Sequence, residues 1–163
     1  TLRYLNQLTH FTPANPLADD PDQEVRKETM LTLGNFREDC IVPILCNSLL
    51  NDESWEVRRN AAIALEMHED NSSSKSLSSA ISDLHWQVRK FSMRALTKVL
   101  SEEYLGEIVK LLCDDYSDVR KEAAIALGLL GSKKAIPSLK QSLDDADIEV
   151  RIQSQKALEK LNV

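Results

Sequence analysis

Five arginines, each preceded six positions earlier by an aspartate, are the side chains whose type and spacing first suggest chemistry in this 163-residue chain. A guanidinium can bind a carboxylate through two parallel hydrogen bonds, and a row of guanidinium groups can also form a track for anions. The pairs are Asp20 and Arg26, Asp52 and Arg58, Asp83 and Arg89, Asp114 and Arg120, and Asp145 and Arg151. Because every arginine has an acid at the same spacing, we predict a structural ladder. In it, each arginine reaches the aspartate of its own turn or of a neighbouring turn.

Histidine and cysteine add little chemistry to this pattern. His68 and Glu69 form the one His-Glu dipeptide, which we interpret as a helix end, and the other two histidines stand alone. The cysteines show no Cys-x-x-Cys spacing and no base placed to activate a thiolate. They are Cys40, Cys46 and Cys113. We therefore expect buried, reduced thiols, as in cytoplasmic proteins, and no catalytic residue, cofactor or metal.

Composition limits the fold and the classes of partner. Charged residues make up 28% of the chain, hydrophobic residues 42% and aromatic residues 5%, with only four glycines, which favours a helical globular protein. No apolar run is long enough to cross a membrane. The net charge of −6 disfavours non-specific binding to nucleic acid.

An internal repeat is the strongest signal in the sequence. Val-Arg dipeptides begin at Val25, Val57, Val88, Val119 and Val150, at steps of 32, 31, 31 and 31 residues. Eight residues after each valine stands a leucine, namely Leu33, Leu65, Leu96, Leu127 and Leu158. Seven residues after it stands a small residue, namely Thr32, Ala64, Ala95, Ala126 and Ala157. These offsets place the apolar side chains on one face of a helix, so each unit must stack on its neighbours to bury that face.

Each unit is predicted to be a helix pair. A short apolar helix A precedes the acidic turn, and a longer helix B begins at the Val-Arg pair, with acidic or amide residues just before it. We expect a single domain over residues 1–163, with units ending near 36, 68, 99, 130 and 161. Prolines at 13 and 16 predict an irregular first helix A, and the serine-rich stretch 69–79 predicts a poor one in the third unit. Residues 1 to about 8 match the end of a helix B, which predicts a piece of a longer protein.

The pattern of an aspartate, a Val-Arg pair and an alanine-rich helix, repeated every 31 residues, resembles the short HEAT-like repeats named after phycobilin lyase subunits. This resemblance implies an all-α, right-handed α-solenoid of about five units, with helix A outside and helix B lining the concave face. Its members include bilin lyases, their chaperones and many adaptors. One enzyme with such repeats, deoxyhypusine hydroxylase, binds iron through His-Glu pairs just after the Val-Arg position. No histidine occupies those positions here.

The inward positions of helix B that the repeat leaves free are the predicted partner-binding site. Trp55 and Trp86 occupy equivalent positions in the second and third units, and aromatic, methionine and arginine side chains near them are typical of interface hot spots. The predicted set is Trp55, Arg59, Asn60, Ile63, Met67, Trp86, Lys90, Phe91, Arg94 and Lys98. The opposing interpretation is that the two indoles only cover the turns between helices A and B.

The predicted function is a non-catalytic scaffold or adaptor that binds another protein, with basic residues of the later units attracting an acidic partner. A bilin lyase subunit or phycobilisome-processing factor is the first alternative, as the resemblance implies. A nucleic-acid-binding helical repeat is the second, although inward positions carry eight basic and six acidic residues, a nearly balanced face. Nothing in the pattern bears on homo-oligomerisation.

Overall fold

The computed structural model describes residues 16–38, 40–99 and 101–162. Within these residues the chain forms nine α-helices, several short 3-10 turns and no strand. The first two helices each have eleven residues, and from the second one onward a shorter helix alternates with a longer one. The predicted all-α solenoid of helix-pair repeats is confirmed.

The B helices begin at the same position in every unit. They are α1 Gln23–Leu33, α3 Trp55–His68, α5 Trp86–Leu96, α7 Ser117–Leu130 and α9 Ile148–Lys160. Each starts two residues before the valine of its Val-Arg pair, after a residue with extended backbone. An acidic residue in the first turn of four of the five helices complements the positive end of the helix dipole.

The A helices differ in length, from eleven residues in the first to six in the last two. They are α2 Ile41–Asn51, α4 Ser74–Ala80, α6 Leu105–Lys110 and α8 Ile136–Gln141. The serine-rich helix α4 is preceded by the 3-10 turn Asn71–Ser73, where the Asp70 carboxylate accepts a hydrogen bond from the Ser72 N–H. The helix predicted to be poor and late-starting has seven residues, four fewer than α2 and one more than α6 or α8. Residues 16–19 form a turn, and the rest of the predicted irregular helix, like residues 1–8, lies outside the described residues.

The core is a column of side chains that repeats with the sequence. Val57, Val88, Val119 and Val150 are fully buried, and so are the leucines eight residues after them, to within a few per cent. Consecutive B helices contact one another, and the A helices pack against them. Burying one such valine or leucine is worth about 1.5–3 kcal/mol, so the stack depends on contacts between units.

Small residues set how closely two B helices approach. A Cβ at Gly128 of α7 would lie 2.9 Å from the Ala157 Cβ of α9, so glycine and alanine together permit this contact. After α7 the backbone turns at Gly131, which has a positive φ of 73° that glycine adopts without strain. The small side chains therefore allow α7 and α9 to pack closely.

Candidate protein-binding face

The Asp–Arg pairs join neighbouring units rather than the two ends of one turn. Arg58 donates from Nε and Nη2 to the two carboxylate oxygens of Asp83, at 2.7 and 3.0 Å. The same bidentate bond links Arg26 to Asp52, Arg89 to Asp114 and Arg120 to Asp145. Both side chains are largely buried in each pair. The ladder therefore fastens each unit to the next one.

Each arginine also bonds its own turn, through a different atom. The Nη1 of Arg89 donates to the Asp83 carbonyl oxygen at 2.9 Å, and the other four arginines repeat this contact. The Asp83 carboxylate in turn accepts the backbone N–H of His85 at 2.7 Å, at the entrance to α5. Hydrogen bonding to Asp114 raises the pKa of Arg89, and hydrogen bonding from Arg120 lowers the pKa of Asp145. All these charges are engaged in holding the stack together.

A second set of polar contacts runs beside the ladder and uses two predicted partner-binding residues. The Lys90 ammonium lies 2.7 Å from the Asp118 carboxylate of the next unit. Arg59 lies 3.4 Å from the Gln87 side-chain oxygen of the next unit, and its guanidinium stands 5.2 Å from the centre of the Trp55 ring. These cations are thus bonded within the protein.

The two tryptophans stack on aromatic residues of the following unit. The Trp55 and His85 ring centres are 3.7 Å apart and the Trp86 and Tyr116 centres 5.1 Å apart, with nearly parallel planes. Both indoles are half-buried and pack against the core. This geometry agrees with the interpretation that they cover the turns, and it leaves only part of each ring accessible to a partner.

Asn60, also among the predicted partner-binding residues, is 2% exposed. Its amide donates to the Lys27 carbonyl oxygen at 3.1 Å, and its side-chain oxygen accepts from the Arg59 guanidinium. A buried polar group with all these partners is a structural residue. We therefore remove Asn60 from the candidate site.

The accessible remainder of the predicted site forms what we call the B-face patch. It consists of Ile63, Met67, Phe91, Arg94 and Lys98. Met67 is 44% exposed, although methionine is apolar, and Ile63 and Phe91 are half-buried. Arg94 stands 5.4 Å from the centre of the Phe91 ring and bonds Glu66 at 3.0 Å, while Lys98 bonds Glu69 at 3.0 Å. The patch thus combines three apolar side chains with two cations that are already paired with glutamates.

Glu122 is a feature of this face that the sequence analysis did not single out. It follows Lys121 at the inward position of α7, and burial raises the pKa of its carboxyl despite the nearby charges of Arg94, Lys90 and Lys121. No described side chain donates a hydrogen bond to it. Glu122 lies three residues after Val119, and Phe91 holds the equivalent position in α5. This equivalence is the sequence feature that could have pointed to Glu122 as part of the exposed face.

The thiols and His68 are the remaining side chains whose chemistry the sequence raised. Cys113 is exposed, so the expectation of a buried thiol is wrong for this residue, whereas Cys40 and Cys46 are half-buried. Burial raises the pKa of Cys46. His68 contacts the Leu33 carbonyl oxygen at 3.2 Å at a helix end. Among the described residues, no group of three or more histidine, cysteine, aspartate or glutamate side chains is arranged to hold a metal ion.

The fold and the bonds between its units define an α-solenoid of short helix pairs whose B helices carry an exposed face. No helix in the described ranges is long and apolar enough to cross a membrane. The family model for HEAT repeats matches residues 14–83 and 74–159. The chain therefore belongs to the HEAT-repeat family.

Solved structures agree on this fold. The complex of CpcE and CpcF of phycocyanin lyase from Nostoc sp. PCC7120 matches with a TM-score of 0.81 at 21% identity, over 93% of this chain and 65% of that chain. A designed armadillo repeat protein in complex with the peptide (KR)4 matches with a TM-score of 0.70 at 24% identity, over 90% and 80%. An engineered protein matches with a TM-score of 0.70 at 25% identity, over 90% and 77%. No functionally curated protein is a significant match.

Proposed function

We propose that this chain is a non-catalytic scaffold that binds another protein on the exposed face of its B helices, centred on the B-face patch. The observation that supports this is the exposure of the apolar Met67 side chain, on a face that also carries the half-buried Phe91 ring and charges already paired within the protein. Apolar side chains surrounded by polar ones are typical of protein-binding sites. Peptide binding by a designed armadillo repeat protein of similar fold adds support from analogy.

The charges of the patch bear on the kind of partner. Arg94 and Lys98 were expected to attract an acidic partner, but each bonds a glutamate of the preceding unit. Exposed ion pairs of this kind contribute about 0–1 kcal/mol to stability. An acidic partner can therefore break them and pair with the cations itself, but the affinity it gains is small. We therefore favour a partner that inserts apolar side chains around Met67 and places any acidic groups at the edge.

A substitution of Met67 tests this function. Met67→Glu places a charge in the middle of the patch, and we expect it to weaken the complex at least tenfold without lowering the melting temperature. The experiment captures partners on wild-type protein, identifies them by mass spectrometry and measures each purified partner by calorimetry. Leu84→Glu is the matched control, because Leu84 is 98% exposed in a turn outside the patch. If the wild type, Met67→Glu and Leu84→Glu bind every partner with equal affinity, the B-face patch is not the binding site.

The phycocyanin lyase structure is the specific observation behind an alternative in bilin processing. At the identity found, that likeness concerns the fold, and its chain is longer than this one. Co-expression with bilin and phycobiliprotein tests the alternative, which requires a new pigment absorbance band.

The half-buried free thiols Cys40 and Cys46 support a reducing compartment, and we propose that the scaffold acts in the cytoplasm.

A further inference from the structure

Helix α7 repeats the apolar positions of the B-face patch two units further along the stack. Ile63 and Met67 stand six and ten residues after the valine of their unit, and we call them the first apolar pair. The same positions of α7 hold Ile125 and Leu129, which we call the second apolar pair. Leu129 is 52% exposed and Ile125 is half-buried, much as Met67 and Ile63 are. Because α5 and α9 both contact α7, this exposure exists with a B helix on either side.

The third unit separates the two apolar pairs and carries cations at the same positions. These are Arg94 and Lys98, and both are already bonded to glutamates of the second unit. The axes of packed helices are about 8–10 Å apart, so the two apolar pairs are about 16–20 Å apart. A partner that contacts both pairs therefore needs one segment that crosses three consecutive B helices.

Glu122 bears on the conformation of such a segment. It lies close enough to Arg94 and Lys90 of α5, and to Glu66 of α3, for their charges to act on its carboxyl. Within the described ranges, nothing donates a hydrogen bond to this half-buried carboxylate. A helix has already used its backbone N–H groups internally, whereas an extended segment presents free ones. The open acceptor beside α5 therefore favours an extended segment over a helix.

We propose that the B face binds an extended segment of its partner, with one apolar side chain on each apolar pair and a backbone N–H donated to Glu122 between them. This inference rests on the proposed function and adds the conformation and the sequence pattern of the partner. An extended chain advances about 3.3 Å per residue and alternates its side chains between two faces, so the two apolar anchors lie about six positions apart. A helix, which rises about 1.5 Å per residue, needs about eleven to thirteen positions for the same span.

Selection from a library of random peptides of about sixteen residues, displayed on phage, tests this spacing on the wild-type protein. We expect the enriched peptides to share two apolar residues about six positions apart. Calorimetry with a synthetic enriched peptide is expected to show at least about tenfold weaker binding to Met67→Glu and to Leu129→Glu. Leu50→Glu is the matched control, because Leu50 is 45% exposed on the A helix α2, and it is expected to bind as the wild type does. Circular dichroism melts establish that each variant is folded.

The hydrogen bond to Glu122 has a separate test. N-methylation removes the backbone N–H groups of the enriched peptide one at a time, and we expect one position between the anchors to lose at least about tenfold in affinity for the wild type. The same N-methylated peptide is expected to lose little affinity for Glu122→Ala, in which the acceptor is already absent. If no position loses more affinity on the wild type than on Glu122→Ala, the role given to Glu122 is overturned.

The outcomes separate this inference from the proposed function. A library that yields no peptide with the six-position spacing, or enriched peptides that bind Leu129→Glu as they bind the wild type, would overturn the extended segment. Anchors about eleven or more positions apart would assign the face to a helix instead. In each case, weaker binding of captured partner proteins to Met67→Glu would still support the proposed function. If Met67→Glu also binds those partners as the wild type does, the proposed function fails as well.

Discussion

Arg89 in the third unit donates two parallel hydrogen bonds, of 2.7 and 2.8 Å, to the carboxylate of Asp114 in the fourth unit. The Nη1 of the same guanidinium holds the Asp83 carbonyl oxygen of its own turn. One side chain thus fixes the shape of a turn and the position of the next unit. This double use gives a physical reason for the regular recurrence of arginine in the sequence.

Removing one member of that pair is expected to destabilise the protein strongly. Arg89→Ala leaves the largely buried Asp114 carboxylate without its cation, which costs about 3–5 kcal/mol. Chemical denaturation measures the loss. Lys134→Ala is the control, because Lys134 pairs with Glu102 on the surface, and it is expected to cost about 0–1 kcal/mol. A similar loss in both variants would contradict the structural role of the ladder.

Gly128 is expected to resist replacement even by alanine. The added Cβ would meet the Ala157 Cβ at 2.9 Å, forcing α7 and α9 apart at a cost of about 1–3 kcal/mol. Gly106, within helix α6, has no atom within 4 Å of the equivalent position, so Gly106→Ala is expected to stabilise by about 0.5–1 kcal/mol. Thermal melts of the two variants should therefore shift in opposite directions. A stabilised Gly128→Ala protein would show that the close approach is not required.

Two buried serines are expected to be replaceable by alanine without loss. The hydroxyls of Ser92 and Ser154 are buried and have no hydrogen-bond partner among the described residues, and Ala61 and Ala123 occupy the same position in other units. Removing an unsatisfied hydroxyl is neutral or stabilising, by up to about 1 kcal/mol. Urea denaturation of the double variant Ser92→Ala, Ser154→Ala measures the change in the free energy of unfolding. A loss of stability would mean that the hydroxyls have partners in solution.

Stability is expected to depend on Asp145 and Glu122 with opposite signs. Hydrogen bonding from Arg120 lowers the pKa of Asp145 in the folded protein. The ionised carboxylate therefore adds to the free energy of unfolding. This contribution is complete above the unfolded-state pKa of Asp145 and is lost as the pH falls through its folded-state pKa. Burial raises the pKa of Glu122, so its ionised form destabilises the fold above that pKa, and the penalty disappears in acid.

Glu122→Gln is therefore expected to raise the melting temperature at neutral pH and to lose this advantage as the pH falls. Asp145→Asn should lower the melting temperature at neutral pH and matter less in acid. Melting curves recorded from acidic to neutral pH measure both effects. A Glu122→Gln advantage that does not change with pH would show that its cause is not the carboxyl ionisation.

The sequence by itself determined the repeat, its period and the residues that face the core, because helical periodicity and the constant offsets from Val-Arg are local properties. It also identified the acids and the arginines of the ladder. It left open whether Arg89 would reach Asp83 or Asp114, since both are compatible with the spacing.

The tertiary structure decided the contacts between units. Stacking directs the guanidinium edge of Arg89 towards Asp114, places Trp55 against His85 and buries Asn60, which sequence alone had assigned to an exposed site. These neighbours lie about one repeat apart in sequence, so only the spacing and rotation of stacked helices bring them together.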